Sequence, residues 1–127
     1  MADILTYTPQ PIRVTNTAAV QPRHTAVDVL PYAFLDVEIV VVGWEGTLVG
    51  AQIIIGIWTG LQNEVDDAWI APAGSTVTLT PTNPAQTLRF NGNFLRYSRW
   101  FVSSSGWGAQ TAAEFFIRGA GRRRGEP

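Results

Sequence analysis

From residue 34 the chain alternates. Leu35, Val37, Ile39 and Val41 fall on one face of an extended segment, and Asp36 and Glu38 fall on the other. Period-two patterning of β-branched and polar residues predicts a strand with one dry face. Residues 51–59 repeat the pattern with Ile53, Ile55 and Ile57, and residues 76–80 alternate again. Residues 87–90, 94–103 and 111–118 predict further strands, and residues 4–8 and 12–15 predict two short ones near the start. Turn residues punctuate them: Gly43-Trp44-Glu45-Gly46, Pro72-Ala73-Gly74-Ser75, Pro81-Thr82-Asn83-Pro84 and Asn91-Gly92-Asn93. Asn-Gly is a strong hairpin signal. No helical period competes. Seven or eight short strands with frequent turns predict an all-β, antiparallel β-sandwich with jelly-roll or Greek-key-like connections.

Pro9, Pro11 and Pro22 exclude a helix at the start and disfavour a central strand there. Residues 1–23 are therefore expected as an extended N-terminal arm, laid on a neighbouring subunit or folded back as a first edge strand. Residues 24–118 are expected to form the sandwich domain. Residues 119–127, apolar only at Ala120, are expected as a flexible basic tail.

Composition sharpens this picture. Of the 127 residues, 46% are hydrophobic and 15% charged, against about 25% charged in an average soluble domain. Such a chain must hide surface in a core or against other subunits. Cysteine and lysine are absent and His24 is the sole histidine. That excludes thiolate and multi-histidine metal sites, Schiff-base lysines and the P-loop lysine. Charge is uneven: residues 1–63 hold two Arg against five acids, and residues 64–127 hold seven Arg against five. No signal-peptide pattern opens the chain, and no apolar stretch nears the length of a membrane span.

Candidate chemistry is sparse. Asp36 and Glu38 point the same way, roughly 7 Å apart along the strand, a spacing compatible with glycoside hydrolysis. Nothing beside them predicts the deep cleft that a catalytic acid needs, so they read as a solvated strand face. Asn63, Glu64, Asp66 and Asp67 crowd one loop with oxygen ligands, but EF-hand spacing is absent. A hydrated loop tip or a contact to an arginine fits better. His24 and the Ser103-Ser104-Ser105 run lack the G-x-S-x-G elbow of a hydrolase. No catalytic residue, cofactor or metal is assigned, and the chain is expected not to be an enzyme. Trp58, Trp69 and Trp100 lie in or beside strand patterns and read as core. Trp44 and Trp107 sit among glycines and read as loop tryptophans at a contact surface, where aromatic residues and arginine are enriched. Arg96 and Arg99 beside aromatics, and Arg122, Arg123 and Arg124 in the tail, join them as interface candidates. A net charge of −1 argues against nucleic acid as the partner. Carbohydrate is the other partner class, with Trp44, Trp107 and Tyr97 as a stacking platform and Asp66 and Asp67 as polar contacts or Ca²⁺ ligands.

Residues 24–118 also carry a layout. His24-Thr25-Ala26-Val27-Asp28-Val29 leads to Tyr32 and the strand at 34–42. Ile53 to Thr59 follows, then Glu64-Val65-Asp66-Asp67-Ala68-Trp69, then Phe94-Leu95-Arg96-Tyr97-Ser98-Arg99-Trp100-Phe101-Val102, and last Ala112-Ala113-Glu114-Phe115-Phe116-Ile117-Arg118. This resembles the small β-sandwich virion proteins of tailed bacteriophages, in which a y-x-s/t-l-x-v-x-v strand precedes a d-D-g-x-x-W loop and a k/r-Y-v/l-R-w/v strand. Here the loop lacks the glycine, and the order Leu95-Arg96-Tyr97 differs. The resemblance implies a structural role in the virion without an active site. A capsid decoration or head- or tail-associated protein would bind the major capsid protein or other virion proteins. It would do so as a homo-oligomer, a trimer being one closed form. A tail or fibre component is the alternative placement.

Overall fold

The computed structural model describes residues 2–15, 18–46, 50–66, 68–103 and 112–123. Its strands are β1 (Asp3–Thr6), β2 (Ile12–Val14), β3 (Ala19–Val20), β4 (Val27–Asp28), β5 (Phe34–Glu45), β6 (Ile53–Gly60), β7 (Thr76–Leu79), β8 (Ala85–Asn91), β9 (Tyr97–Ser103) and β10 (Ala112–Arg122). One 3-10 turn spans Arg23–Thr25, and no α-helix occurs among the described residues. The first sheet has the order β1-β10-β5-β8, with β2 also on β10. The second has the order β3-β9-β6-β7, with β4 also on β9. All pairings are antiparallel. The molecule is a β-sandwich, as the alternation predicts. Every connection crosses between sheets except β6–β7 and those within the two broken edges, β1–β2 and β3–β4.

The inward positions are the ones the period-two pattern selects. Leu35, Val37, Ile39 and Val41 of β5 meet Ile53, Ile55 and Ile57 of β6, with Phe115, Ile117, Leu88, Phe90, Val77, Leu79, Trp100 and Val102 filling the layer. Removing such area from water is the main driving force for the fold. Tyr7 reaches through this layer, and its hydroxyl donates to Ser98 Oγ at 2.7 Å. Burial raises the Tyr7 phenol well above its ordinary value, outweighing the opposing hydrogen bond.

Proline breaks both edges, and a polar neighbour repairs each break. Ahead of Pro9, Thr8 Oγ1 accepts from Ile117 N at 2.9 Å while Thr8 N donates to Ile117 O at 3.3 Å. Ahead of Pro22, Gln21 N donates to Trp100 O at 3.0 Å and Gln21 Oε1 accepts from Trp100 N at 3.0 Å. Proline can end a ladder only at an edge, and these side chains keep the buried backbone paired across the gap.

Of the two placements expected for residues 1–23, the structure shows the fold-back: residues 3–6 and 12–14 are edge strands on β10, part of the chain's own first sheet. Two features differ from the sequence expectation. β10 continues through Arg122, so residues 119–122 are sheet rather than tail. Two aromatic rings supply the missing apolar signal. A Cβ at Gly119 would lie 3.0 Å from the Tyr7 ring, and one at Gly121 would lie 2.7 Å from the Tyr32 ring. The Asn91-Gly92 turn forms, with Gly92 at φ 76°, but it closes no hairpin. It carries the chain from β8 in one sheet to β9 in the other.

Candidate contact surface

The outer face of the second sheet is built on two glycines. β6 reads Ile54, Gly56, Trp58 and Gly60 along that face. The bare backbone of Gly56 lies under the Phe101 ring, 2.5 Å from where a Cβ would stand, and Gly60 lies under Trp69. Phe101 then stacks on Trp58 with ring centroids 4.6 Å apart and planes 23° apart. Beside this stack an open groove of about 350 Å³ is lined by Ala18, Ala19, Val20, Trp58, Phe101, Val102 and Ser103. Trp58 and Phe101 are half-buried and Val20 is exposed. Among the described residues no titratable side chain lines the groove.

Arg99 continues the row and is 1% exposed. It stands opposite Trp58 in the β6–β9 register. Its guanidinium lies 5.7 Å from the Trp58 ring and 4.8 Å from the Trp69 ring. Nε donates to Gln21 O at 2.8 Å, and Nη2 donates to the same carbonyl. Nη1 donates to Asp66 Oδ1 at 3.2 Å, while Arg23 reaches Asp66 Oδ2 at 3.0 Å. The acidic loop thus folds back on the sheet, held by Asp66 between two arginines and by Ile70 bridging to Thr59. Asp66 serves arginine, the second of the two readings given for this loop. Among the described residues no group of three or more His, Cys, Asp or Glu is placed to hold a metal.

A second apolar region caps one end of the sandwich. The β4–β5, β6–β7 and β8–β9 connections meet there, tied by Gly92 N to Ala33 O at 3.0 Å and Leu95 N to Thr59 Oγ1 at 2.6 Å. They expose Leu30, Leu61, Ile70 and Leu95. Nothing in the period-two pattern marks these loop residues.

The residues expected at an interface are scattered. Trp44 is the last but one residue of β5, not part of a loop. A register shift opposite Glu114 and Phe115 leaves Val42 as an extra, exposed residue. Such a bulge reverses the phase of the strand beyond it, so Trp44 pairs with buried Ala113 and packs against the core. Its Nε1 is buried without a hydrogen-bond partner among the described residues. Arg99 is likewise inside rather than at the surface. Arg96 is exposed and pairs with Asp28 at 3.2 Å. Tyr97, proposed for a stacking platform with Trp44, carries Arg96 over its ring at 5.1 Å. Arg123 lies 3.7 Å from Asp3, and Arg122 is exposed at the end of β10. Trp107, Arg124 and Asp67 lie outside the described residues. Of the tryptophans read as core, Trp100 is buried, while Trp58 and Trp69 are half-buried on the outer face.

The first sheet's outer face differs in kind. Asp36 meets Arg89 at 3.3 Å, Glu38 meets Arg118 at 2.9 Å and Glu45 meets Arg13 at 2.8 Å. The hydrogen bond from Arg13 holds the Glu45 carboxyl below its usual range. Asp36 and Glu38 are therefore each matched to a cation on the adjacent strand. No described helix is long and apolar enough to cross a membrane.

No protein-family model matches the chain, and no curated protein matches it. Among solved structures it is similar to a chain from the acidic stable capsid of Helicobacter pylori bacteriophage KHP30. Identity is 11%, coverage is 93% of this chain and 92% of that one, and the TM-score is 0.38.

Proposed function

We propose that this chain is a non-enzymatic structural protein of a bacteriophage virion, a capsid decoration or cement protein that binds neighbouring virion subunits. The observation that carries the reading is the groove beside Trp58 and Phe101. It is open, aromatic and, among the described residues, free of titratable groups, which suits protein contact rather than catalysis. Leu30, Leu61, Ile70 and Leu95 add a second exposed apolar region at the end loops. Counting β1 with β2 and β3 with β4, the eight strands follow a jelly-roll order, an architecture that recurs in viral capsids and in lectins. The sequence layout favours the virion over the lectin. So does the groove, because a sugar needs polar partners around an aromatic ring and, among the described residues, Ser103 is the sole polar residue lining this one. Contacts of this kind gain strength from repetition on a symmetric shell.

The test is binding of the purified chain to capsids of the encoding phage that lack it. Val20→Asp places a charge on the groove's exposed rim without disturbing the core. Binding of the native chain, with loss in Val20→Asp and in Trp58→Ser, is expected. Binding that survives both substitutions, or a chain that ignores capsids altogether, overturns the reading.

A further inference from the structure

A different site lies on the first sheet's outer face, at the end of β5. The register sets Phe34 between Arg122 on β10 and Asn91 on β8. In the next row outward-facing Asp36 stands between Ala120 and Arg89. Directly opposed residues share a face, so these six side chains form one array. A hollow of about 340 Å³ opens on this array, lined by Phe34, Asp36, Arg89, Asn91 and Arg122, with Phe90 beneath. Phe34 is 40% exposed at its floor.

Charge distinguishes this hollow from the rest of the face. Among the described residues every other arginine has an acidic partner within 4 Å, and Arg122 has none. An unpaired guanidinium beside an exposed ring selects a ligand that carries a carboxylate and a flat apolar face. Arginine binds carboxylates through two parallel hydrogen bonds. The Asn91 amide can both donate and accept, and the Asp36 carboxylate accepts. Hydroxyl groups around a ring would meet both. Strands spaced about 4.8 Å apart put Arg122 and Asn91 roughly 10 Å from each other across Phe34, room for one substituted ring.

We propose that this hollow binds an acidic sugar, with its carboxylate on Arg122, its apolar face on Phe34 and its hydroxyls on Asn91 and Asp36. An acidic peptide side chain would use Arg122 alone and leave the ring and the amide idle. The inference goes beyond the capsid-contact reading and uses none of the residues on which that reading rests.

Titration of the isotope-labelled full chain with glucuronate, glucose and triglutamate, followed by amide NMR, tests it. Glucuronate is expected to shift the Phe34, Asn91 and Arg122 resonances saturably, with glucose roughly tenfold weaker or more. Arg122→Gln should erase the preference for the acid. Phe34→Leu, which removes the ring but keeps an apolar side chain, should weaken both sugars. Trp58→Ser should change neither. The amide spectrum of each variant reports its fold, and a collapsed Phe34→Leu leaves Arg122→Gln to decide. Absence of saturable shifts, equal binding of glucose, or triglutamate binding as tightly at the same resonances overturns the proposal, the last in favour of an acidic protein segment.

Discussion

The two outer faces of the sandwich enclose the same kind of core and solve their exposure differently. On the first sheet, acids of β5 and arginines of β8, β10 and β2 pair across strands in open solvent. On the second, glycines let aromatic rings lie flat on the backbone, and Arg99 is sunk among them. Exposed ion pairs contribute little to stability. A buried guanidinium must be fully satisfied or it costs several kcal/mol. The charge-poor composition therefore has a local meaning: charge is spread where it is cheap to keep and concentrated once where the fold depends on it. The second face is the one left with apolar area for a neighbour.

The contrast predicts its largest effect at Arg99. Arg99→Ala leaves the buried Gln21 carbonyl without its two donors and opens a void between Trp58 and Trp69. Lost hydrogen bonds and cavity together should cost about 2–4 kcal/mol in urea unfolding. Arg99→Lys should recover only part of this, because one ammonium cannot bridge the Gln21 carbonyl and Asp66 while lying flat between two indoles. If Arg99→Ala unfolds at the native urea midpoint, the two faces are energetically alike and the comparison fails.

A middle-sized effect is expected at Tyr7, which ties the sheets together through Ser98. Tyr7→Phe should cost about 1 kcal/mol, the ordinary worth of one hydrogen bond. The pH dependence sharpens the test. The folded phenol holds its proton above the value it has in the unfolded chain, so its contribution is fully present below about pH 10. As pH rises past that point the unfolded state ionises first, and stability falls until the folded phenol ionises too. Alkaline unfolding curves should show this decline in the native chain and a shallower one in Tyr7→Phe. The remainder of the decline belongs in part to Tyr32, raised chiefly by its hydrogen bond to Asp3. Identical alkaline profiles would show that Tyr7 is not held as a buried neutral phenol.

The inward half of this molecule was legible in the sequence because period two is a local signal. Leu35, Val37, Ile39, Ile53, Ile55 and Ile57 all point where alternation sends them. The outer surfaces were not, because they depend on which strands become neighbours. Gly56 and Gly60 carry meaning only once Phe101 and Trp69 are known to lie over them. Arg99 reads as a surface cation until Trp69 and Asp66 return from a loop 30 or more residues away. Trp44 reads as a loop residue because glycines flank it; β5 runs on through Glu45, and the bulge at Val42 turns the indole inward. The hollow at Phe34 joins three strands distant in sequence, and no motif spans them. The glycines of β10 concealed the end of that strand for the same reason: the side chains that fill their places, Tyr7 and Tyr32, belong to other segments.

The smallest effect is expected on the charged face, and it is the control that gives the others meaning. Glu38 and Arg118 sit opposite each other in the β5–β10 register, 2.9 Å apart, with side chains 42% and 65% exposed. Solvent screens such a pair, and ordering two long side chains offsets much of the attraction. Glu38→Gln, Arg118→Gln and the double variant should each lie within about 0.5 kcal/mol of the native chain. Their coupling in a double-mutant cycle should shrink further as salt is raised. A coupling above about 1 kcal/mol that persists in high salt would mean that this pair is held as rigidly as Arg99. The first sheet would then be stabilised by its charges, and the apolar groove would lose its distinction as the surface left over for a partner.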